Sequence, residues 1–288
     1  MPIADTGRLA RAKINLYLHV VGKRADGYHL LDSLIVFAET GDVLRVGPAD
    51  DLSLAIDGPF AEGLAGEADN LVLRAARALA TEAGIDPRAC IHLTKSLPIA
   101  SGIGGGSADA AAALLELCRL WRLDIDTGRL QKIALALGAD VPVCVDGRPA
   151  FIGGIGEEIV PAGHLPGAWL VLVNPKVPTP TPQVFKARRG DFSPAARWQT
   201  PPADLEALVA YLAGCCNDLT EPAISVAPTI ADVLAAIAAT DRCRLARLSG
   251  SGATCFGLYG DAAAAVAAQA EIVRQQPGWW AVAARIAG

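Results

Sequence analysis

The chain of 288 residues is 52% hydrophobic and carries a formal net charge of −5 at pH 7, and its length suits one large domain or two ordinary ones. The slight acidic excess argues against a polyanion-binding surface, so we expect no nucleic-acid partner. No apolar run reaches the roughly 18 residues that span a bilayer, and the N-terminus lacks the pattern of a signal peptide, so we expect no membrane association and a cytoplasmic location.

Strands and helices come mixed along the chain, which predicts an α+β fold with two lobes. Residues 12–20 alternate apolar and polar side chains, which predicts a strand with Lys13 and Asn15 on its polar face. Asp69 or Asn70 is suited to cap the amphipathic helix that follows it. Strands are predicted at 12–20, 33–38, 42–46, 52–56, 90–95, 141–145, 169–173, 245–248, 254–259 and 280–286, and helices at 70–83, 107 to about 121, 128–137, 230–239 and 261–275.

The lobes divide near residues 150–165, and we place the boundary between residues 158 and 159. The stretch 174–202 is rich in proline and predicts an irregular segment. It is a loop rather than a tether between domains, because the strand at 169–173 leads straight into it.

The cysteines and histidines indicate the redox compartment of the protein and whether it has a structural metal site. The seven cysteines show no C-x-x-C spacing and most lie in apolar stretches, which predicts buried free thiols in a reducing compartment. The four histidines are not clustered as ligands would be, so no structural metal site is predicted.

A glycine-rich loop at 98–108 runs directly into an alanine- and leucine-rich helix. Glycine lets the backbone approach a phosphate and adopt positive φ without a Cβ penalty. Ser107 is suited to cap the helix, whose first N–H groups and dipole favour an anion. Neither neighbour has the composition of a linker, which argues against a merely mobile turn. The predicted phosphate site comprises Pro98, Ile99, Ala100, Ser101, Gly102, Ile103, Gly104, Gly105, Gly106, Ser107 and Ala108, with Lys95 upstream as a candidate phosphate or nucleotide contact.

Two familiar phosphate loops do not fit this stretch. A P-loop ends in Gly-Lys-Ser/Thr, whereas Gly106 is followed by Ser107 and Ala108. A dinucleotide loop needs a third glycine where Ser107 stands and an acid about 20 residues further on, whereas the next acid is Asp109.

Lys13 and Asp140 form the most suggestive charged pair. Asp140 follows Gly138 and Ala139 at a predicted helix-to-strand junction among apolar neighbours, where a lone carboxylate is costly unless paired. Lys13 lies on a strand otherwise built for burial. The residues alone leave open whether the two form a catalytic pair or a structural ion pair.

Two further features are ambiguous in isolation. Tyr28 and His29 follow Asp26 and Gly27, which predict a hairpin turn, and such a surface pair usually has no special role. The segment 249–252 is a second glycine loop, either a nest of N–H groups for an anion or a hairpin bulge.

Taken together, three separated stretches resemble the GHMP kinase superfamily: residues 10–16, 98–107 and 248–253. Within it, four motifs are similar to the branch that phosphorylates a cytidyl diphosphate sugar alcohol: residues 12–16, 24–29, 137–142, and 180–182 followed by Phe185. The resemblance covers residues from about 10 to 259. One departure is Ala108, where many members have a second serine, so Ser107 alone supplies the hydroxyl.

The resemblance implies a two-lobed GHMP kinase fold. It has an N-terminal nucleotide-binding lobe, placed at 1–158 as the ATP-binding and catalytic domain, and a C-terminal α/β sandwich lobe, placed at 159–288 as the substrate-binding domain. It also implies ATP-dependent phosphorylation, with Mg²⁺, of the 2-hydroxyl of 4-diphosphocytidyl-2-C-methyl-D-erythritol in the non-mevalonate route to isoprenoids. The partner is therefore a small molecule, and we expect a monomer or weak homodimer. The metal ligands stay open.

The resemblance also assigns roles to residues. Asp140 takes the proton from the acceptor hydroxyl, and Lys13 holds Asp140 as a carboxylate. Tyr28 and Phe185 stack on the cytosine ring, as suits a pyrimidine pocket, and His29 hydrogen-bonds the base edge. Further substrate contacts are implied at Asn15, Thr181, Gly250, Ser251 and Gly252, and Asn70 either lines the adenine side or simply caps its helix.

Two alternatives compete with this hypothesis. A mevalonate or homoserine kinase shares the loop chemistry but does not need Tyr28, His29 and Phe185. A non-catalytic nucleotide-binding protein on the same scaffold would be expected to have lost the acid–base pair, whereas Lys13 and Asp140 are both present.

Overall fold

The computed structural model describes residues 7–64 and 69–287, which form an α+β fold as the sequence predicts. The strands are β1 (Arg8–Lys23), β2 (His29–Gly47), β3 (Leu52–Asp57), β4 (Ala89–Thr94), β5 (Ala150–Gly153), β6 (Glu158–Pro161), β7 (Trp169–Asn174), β8 (Leu245–Leu248), β9 (Cys255–Tyr259) and β10 (Trp280–Arg285). The helices are α1 (Leu71–Ala83), α2 (Gly105–Leu120), α3 (Thr127–Leu137), α4 (Val141–Asp146), α5 (Thr181–Ala187), α6 (Leu205–Ala213), α7 (Thr220–Val226), α8 (Thr229–Ala238) and α9 (Ala262–Gln275). Over the described ranges, no helix is both long and apolar enough to cross a membrane.

The chain forms two compact units whose segments alternate along the sequence. The first unit comprises the chain up to Ala12 with Thr40–Ile99 and Gly104–Gly147, and the second comprises Lys13–Glu39, Ala100–Ile103 and the chain from Arg148 onward. The single boundary placed between residues 158 and 159, with ATP binding on one side and substrate binding on the other, stays a prediction.

In the first unit, helices cover a small sheet. Strand β4 pairs antiparallel with the second half of β2, with Val43 opposite Thr94, and parallel with β3. Helices α1 and α2 pack together through buried alanines, whose small side chains let two helices approach closely. Leu79 of α1 and Leu114 of α2 are fully buried in the same core cluster, and burial of each such side chain contributes about 1.5–3 kcal/mol.

The second unit contains an antiparallel sheet in the order β10-β7-β9-β8, with α8 and α9 packed on it. The first part of β2 pairs antiparallel with β5, which pairs antiparallel with β6. The buried strand β7 reads as an apolar run, and Val171 and Val173 join the core beneath α8. This layer of helices on a sheet agrees with the sandwich expected of the C-terminal lobe.

Strand β1 is buried on both faces, although its alternation predicted one polar face. Tyr17 Oη donates to Asp32 Oδ2 (2.9 Å), and the backbone N–H of Cys216 donates to His19 Nε2 (3.1 Å). Other segments of the chain therefore cover the polar side of β1 and supply its hydrogen bonds. The alternation of residues along the strand cannot predict such contacts.

Four predicted elements differ from the structure. The strands expected at 33–38 and 42–46 are one strand, because Gly41 allows a close approach in which a Cβ would lie 2.0 Å from the Ala10 carbonyl oxygen. The strand expected at 141–145 is helix α4, since a short apolar run fits either structure and Pro142 suits a first helical turn. The proline-rich stretch 174–202 contains α5, which begins after Pro180.

All seven cysteines are free, as predicted, but their predicted burial holds for only two of them. Cys215 and Cys255 are buried, and burial raises the pKa of the Cys255 thiol. Cys216 is exposed and the rest are half-buried, because an apolar sequence neighbourhood does not fix which face of an element a residue occupies.

Candidate active site

In the second unit, hydrogen bonds bring together three stretches that are distant in sequence. The N–H of Lys13 donates to the carbonyl of Ile103 (2.9 Å), and the N–H of Asn15 donates to Ser249 Oγ (3.1 Å). Ser249 Oγ in turn donates to the carbonyl of Gly102 (3.1 Å). Strand β1, the loop at Ala100–Ile103 and the second glycine loop are therefore neighbours.

Glycine is required where the two loops meet. At Gly102 (φ 76°) a Cβ would lie 2.6 Å from the carbonyl oxygen of Ser249, and at Gly250 (φ 56°) it would lie 2.9 Å from the carbonyl oxygen of Gly102. Both positions combine positive φ with a backbone carbonyl where a side chain would start. At Gly252 (φ 86°) a Cβ would lie 2.9 Å from Leu248 Cδ1.

Asn217 holds the second glycine loop, although local sequence patterns do not single it out. It is buried, and its Nδ2 donates to the carbonyls of Leu248 and Gly250, both at 2.8 Å. The available signal was an Asn-Asp pair between the cysteines at 215–216 and Leu219, since a polar pair in an apolar stretch needs partners if it is buried.

The side chains of Lys13 and Asn15 lie on the same buried side of β1. They are 5% and 4% exposed, and Lys13 Nζ donates to Asn15 Oδ1 (3.3 Å). Asn15 Nδ2 donates to Ser33 Oγ (2.7 Å), which fixes the amide so that its oxygen faces the ammonium. A buried ammonium oriented in this way is suited to stabilise an anion.

Residues predicted to bind the acceptor also lie in the second unit. The rings of His29 and Phe185 stack with centroids 5.2 Å apart and planes 25° apart, and Thr181 Oγ1 shares a hydrogen bond with Ser251 Oγ (2.7 Å). Tyr28 is 63% exposed. The structure thus joins His29 to Phe185 and Thr181 to Ser251, while the ring of Tyr28 projects toward solvent.

The surroundings of His29 keep its ring neutral. Burial, together with the nearby charges of Lys23 and Arg188, lowers the pKa of His29. A neutral imidazole carries one N–H donor and one acceptor nitrogen, which is what pairing with a base edge requires.

In the first unit, α2 begins differently from the prediction. Gly104 (φ 64°) is its N-cap, and Ser107 lies inside the first turn, half-buried. Ser107 is therefore not the N-cap, because the loop needs a left-handed residue at the point where the chain turns into the helix. Ala108 is buried at 4% exposure. Ahead of the helix, Pro98 is buried and Ile99 is 38% exposed.

Lys95 is not positioned as an open phosphate contact. Its side chain is 3% exposed, and its Nζ donates to Asp42 Oδ2 (2.5 Å) and Asp109 Oδ2 (2.8 Å). Burial lowers the pKa of Lys95, but the two carboxylates outweigh that effect and raise it, so the side chain is an ammonium. Neither acid was singled out from the sequence, since each lies far from Lys95 along the chain.

Asp140 is the N-cap of α4 and is half-buried. The predicted helix-to-strand junction is thus a junction between two helices, α3 and α4. Lys13 and Asp140 belong to different units, and their pairing stays a prediction. Asn70 caps α1, accepting from the N–H of Val72 (2.9 Å), and its place beside adenine stays a prediction too.

Comparison with known proteins gives a consistent result. The N-terminal domain model of the GHMP kinases matches residues 70–148, and the C-terminal model matches residues 203–277. The chain is 56% identical to a 4-diphosphocytidyl-2-C-methyl-D-erythritol kinase of Paramagnetospirillum magneticum, covering 96% of this chain and 97% of that protein. It is 51% identical to the Rhodospirillum rubrum protein of the same name, covering 100% and 95%. A crystal structure of a 4-(cytidine 5'-diphospho)-2C-methyl-D-erythritol kinase superposes with a TM-score of 0.81 at 35% identity, covering 98% and 100%.

Proposed function

The chain belongs to the 4-diphosphocytidyl-2-C-methyl-D-erythritol kinases of the GHMP kinase superfamily, and from that premise we propose how its residues carry out the reaction. It is an ATP-dependent kinase of the non-mevalonate pathway, and we assign the 2-hydroxyl of the cytidyl substrate as its acceptor. The observation that carries the assignment of the site is the meeting of β1, the first glycine loop and the second glycine loop in one unit.

The stretch 98–108 binds the ATP phosphates. Positive φ at Gly102 and Gly104 turns the backbone N–H groups of this stretch, and α2 is a 16-residue helix that directs its first N–H groups and positive dipole end toward the loop. Ser107 adds the one hydroxyl of the first turn of α2. These donors fit a phosphate, and they position it without covalent chemistry, as phosphoryl transfer requires.

Mg²⁺ fits this site as an ion that arrives with ATP. Among the described residues, no three His, Cys, Asp or Glu side chains gather as a metal site, whereas Mg²⁺ in kinases is held largely by phosphate and water with one or two protein ligands. Ser107 is the residue we propose beside it, and the ion would neutralise phosphate charge there.

The second unit binds the acceptor. Phe185 and His29 present a stacked pair beside which the cytosine lies, with Tyr28 closing over it from the solvent side and neutral His29 hydrogen-bonding the base edge. Asn15 and Thr181 contact the sugar alcohol. Backbone N–H groups of the second glycine loop, at Gly250, Ser251 and Gly252, face the substrate diphosphate.

Catalysis requires removal of the proton from the acceptor hydroxyl. Asp140 accepts that proton as general base, and Lys13 keeps Asp140 ionised and stabilises negative charge as the phosphoryl group moves. Lys13 is suited to this because it is a buried ammonium held in place by Asn15.

We further propose that the protein is a cytoplasmic monomer or weak homodimer with no nucleic-acid partner. Seven free thiols and a net charge of −5 support the location and the lack of a polyanion partner.

ADP release from ATP tests the function directly. The purified chain is given the cytidyl substrate, mevalonate or homoserine, and phosphorus NMR locates the new phosphate. Of the three acceptors, we expect only the cytidyl substrate to cause ADP release, and we expect the new phosphate on its 2-hydroxyl. An Asp140→Asn preparation controls for contaminating ATPase. Faster release with mevalonate or homoserine would assign a sibling activity, and no release with any acceptor would indicate a binding protein.

A further inference from the structure

A buried cluster of three charged side chains lies in the first unit, outside the groups to which the reaction assigns a chemical step. Lys95 Nζ lies 2.5 Å from Asp42 Oδ2 and 2.8 Å from Asp109 Oδ2. Their side chains are 3%, 0% and 4% exposed, so the cluster is sealed from water.

The cluster joins the two ends of the glycine-rich stretch. Asp42 Oδ1 accepts from the N–H groups of Ser96 (2.6 Å) and Leu97 (2.8 Å), where the chain enters that stretch. Asp109 lies in the second turn of α2, just after the chain leaves it. The ammonium of Lys95 bridges the two carboxylates and so links the entry of the loop to its exit.

Gly105 shows how closely the helix start sits over the cluster. A Cβ at this position would lie 3.1 Å from Lys95 Nζ and 3.6 Å from Asp42 Oδ2. The first residue of α2 therefore packs directly on the ammonium, and a shift of Lys95 would move the helix start with it.

The cluster contains one more acid than its single ammonium can neutralise, which stability alone does not explain. Two carboxylates share one ammonium, and within the described part of the chain Asp109 Oδ1 has no hydrogen-bond partner. Burial, reinforced by Asp42 and opposed by Lys95, raises the pKa of Asp109 to about 7. Replacing buried charged groups by apolar residues often leaves a protein as stable or makes it more stable. A second acid in this cluster therefore points to a positioning role.

We propose that Lys95 and Asp109 are positioning residues for ATP, which fix the spacing between the two ends of the glycine-rich stretch, and that Lys95 does not contact the phosphates directly. The proposal rests on the proposed function only in taking ATP as the ligand of that stretch. The proposal gives Asp109 a role in ATP affinity, although the Asp109 side chain is buried and bonded to Lys95.

The variant Asp109→Ala distinguishes a positioning role of Lys95 from a direct phosphate contact, because the two roles predict different changes in ATP affinity. If Lys95 positions the loop, losing its link to α2 weakens ATP binding by about 10- to 100-fold, on the order of the loss in rate that a misplacement of about 1 Å causes in an active site. If Lys95 reached the phosphates, freeing it from Asp109 would leave ATP binding unchanged or tighter. The measurement is the ATP Kd by calorimetry without acceptor, so it stands whether or not the cytidyl substrate is phosphorylated.

Stability and rescue distinguish positioning from general damage. Asp109→Ala leaves Lys95 and Asp42 as a neutral pair and introduces a good helix former, so its Tm should equal or exceed that of the wild type while ATP affinity falls. Asp109→Asn keeps an acceptor for Lys95 and should bind ATP within about threefold of wild type, a margin well below the misplacement effect.

A matched control lies further along the same helix. Glu116 is also a buried, ion-paired acid on α2, bonded to Arg8 and Arg119, and Glu116→Gln should leave the ATP Kd unchanged. The proposal is overturned if Asp109→Ala binds ATP as well as wild type, if Asp109→Asn loses affinity as severely as alanine, or if Glu116→Gln weakens ATP binding equally.

Discussion

The two units hold their shares of the glycine-rich stretch by different means. In the first unit the anchors are charged: Asp42, Lys95 and Asp109 form a sealed cluster. In the second unit the anchors are neutral: Ser249 Oγ donates to the carbonyl of Gly102 in that stretch, and Asn217 holds the second glycine loop that carries Ser249 through the carbonyls of Leu248 and Gly250.

The difference determines what each region depends on. Charge-assisted hydrogen bonds are strong, but they respond to pH and leave a costly unpaired charge when one partner is removed. Neutral hydrogen bonds are individually weaker, and here they act together with backbone contacts so close that only glycine fits at Gly102 and Gly250. We therefore expect the first unit to be sensitive to charge and pH, and the second to be sensitive to shape.

The largest effect should come from the residues that carry the chemistry. Asp140→Asn and Lys13→Ala should each lower turnover by roughly 10²–10⁴, a typical general acid–base contribution, while the ATP Kd changes little because the loop residues are intact. Steady-state ADP release and calorimetry measure the two quantities. Asp126, an N-cap aspartate of the preceding helix, provides the control, since Asp126→Asn retains the cap and should turn over normally. Near-normal turnover in Asp140→Asn or Lys13→Ala would show that Lys13 and Asp140 have only a structural role.

Shape sensitivity is tested by adding one methyl group. Gly102→Ala should destabilise the protein by about 3 kcal/mol or more, because it combines positive φ with a backbone clash. Gly84 has a similar φ of 67° at the end of α1, and no described atom lies within 4 Å of its Cβ position. Gly84→Ala should therefore cost only about 1 kcal/mol, the conformational penalty alone. Equal losses in urea unfolding would show that close packing of the loops contributes nothing.

The acceptor site should show a graded dependence on its aromatic residues. Base–aromatic stacking contributes about 1–3 kcal/mol per contact, so Phe185→Ala or Tyr28→Ala should weaken substrate binding by about 5- to 150-fold. Phe185→Ala should have the larger effect, because Phe185 is already packed on His29 whereas Tyr28 is exposed. Calorimetry with the cytidyl substrate measures both variants, and their ATP Kd, which should not change, is the control. An unchanged substrate Kd in Phe185→Ala would show that the Phe185 ring does not contact the substrate.

The first unit should also show a dependence of stability on pH. The pKa of Asp109 is raised from 3.8 to about 7 by burial and by Asp42, against the opposing charge of Lys95. The folded state therefore binds more protons than the unfolded state between these values, and stability falls as pH rises through that window. Urea unfolding from pH 5 to pH 8 should show this slope in the wild type and a shallower one in Asp109→Ala. Parallel curves would show that Asp109 does not titrate in this range.

Local patterns predicted the parts of the site that depend on neighbours in sequence. The glycine-rich stretch was placed correctly before a helix, and Asn70, one of two candidates for the cap of α1, does cap it. Ser107 was wrongly given the N-cap of α2, because preference for a hydroxyl competes with the need for a left-handed residue, which glycine meets at lower cost.

Contacts between distant segments account for the rest. Asp42 lies 53 residues from Lys95, and Asn217 lies 31 from Leu248, so neither partnership leaves a periodic signal. For Lys95, the sequence therefore offers only its nearness to the glycines, which predicts a phosphate contact. Only the fold shows that two buried carboxylates bind its ammonium.

The most direct test of the account compares two acceptors with the wild-type enzyme. The ratio of kcat/KM for the cytidyl substrate to that for 2-C-methyl-D-erythritol 4-phosphate, which lacks the cytidyl group, measures how much the proposed cytosine contacts of Tyr28, His29 and Phe185 contribute. With stacking worth about 1–3 kcal/mol per contact and the rings of Tyr28 and Phe185 both involved, we predict that the truncated acceptor is slower by about 30-fold or more. Equal kcat/KM values for the two acceptors would contradict it, because the cytosine would then contribute nothing to recognition.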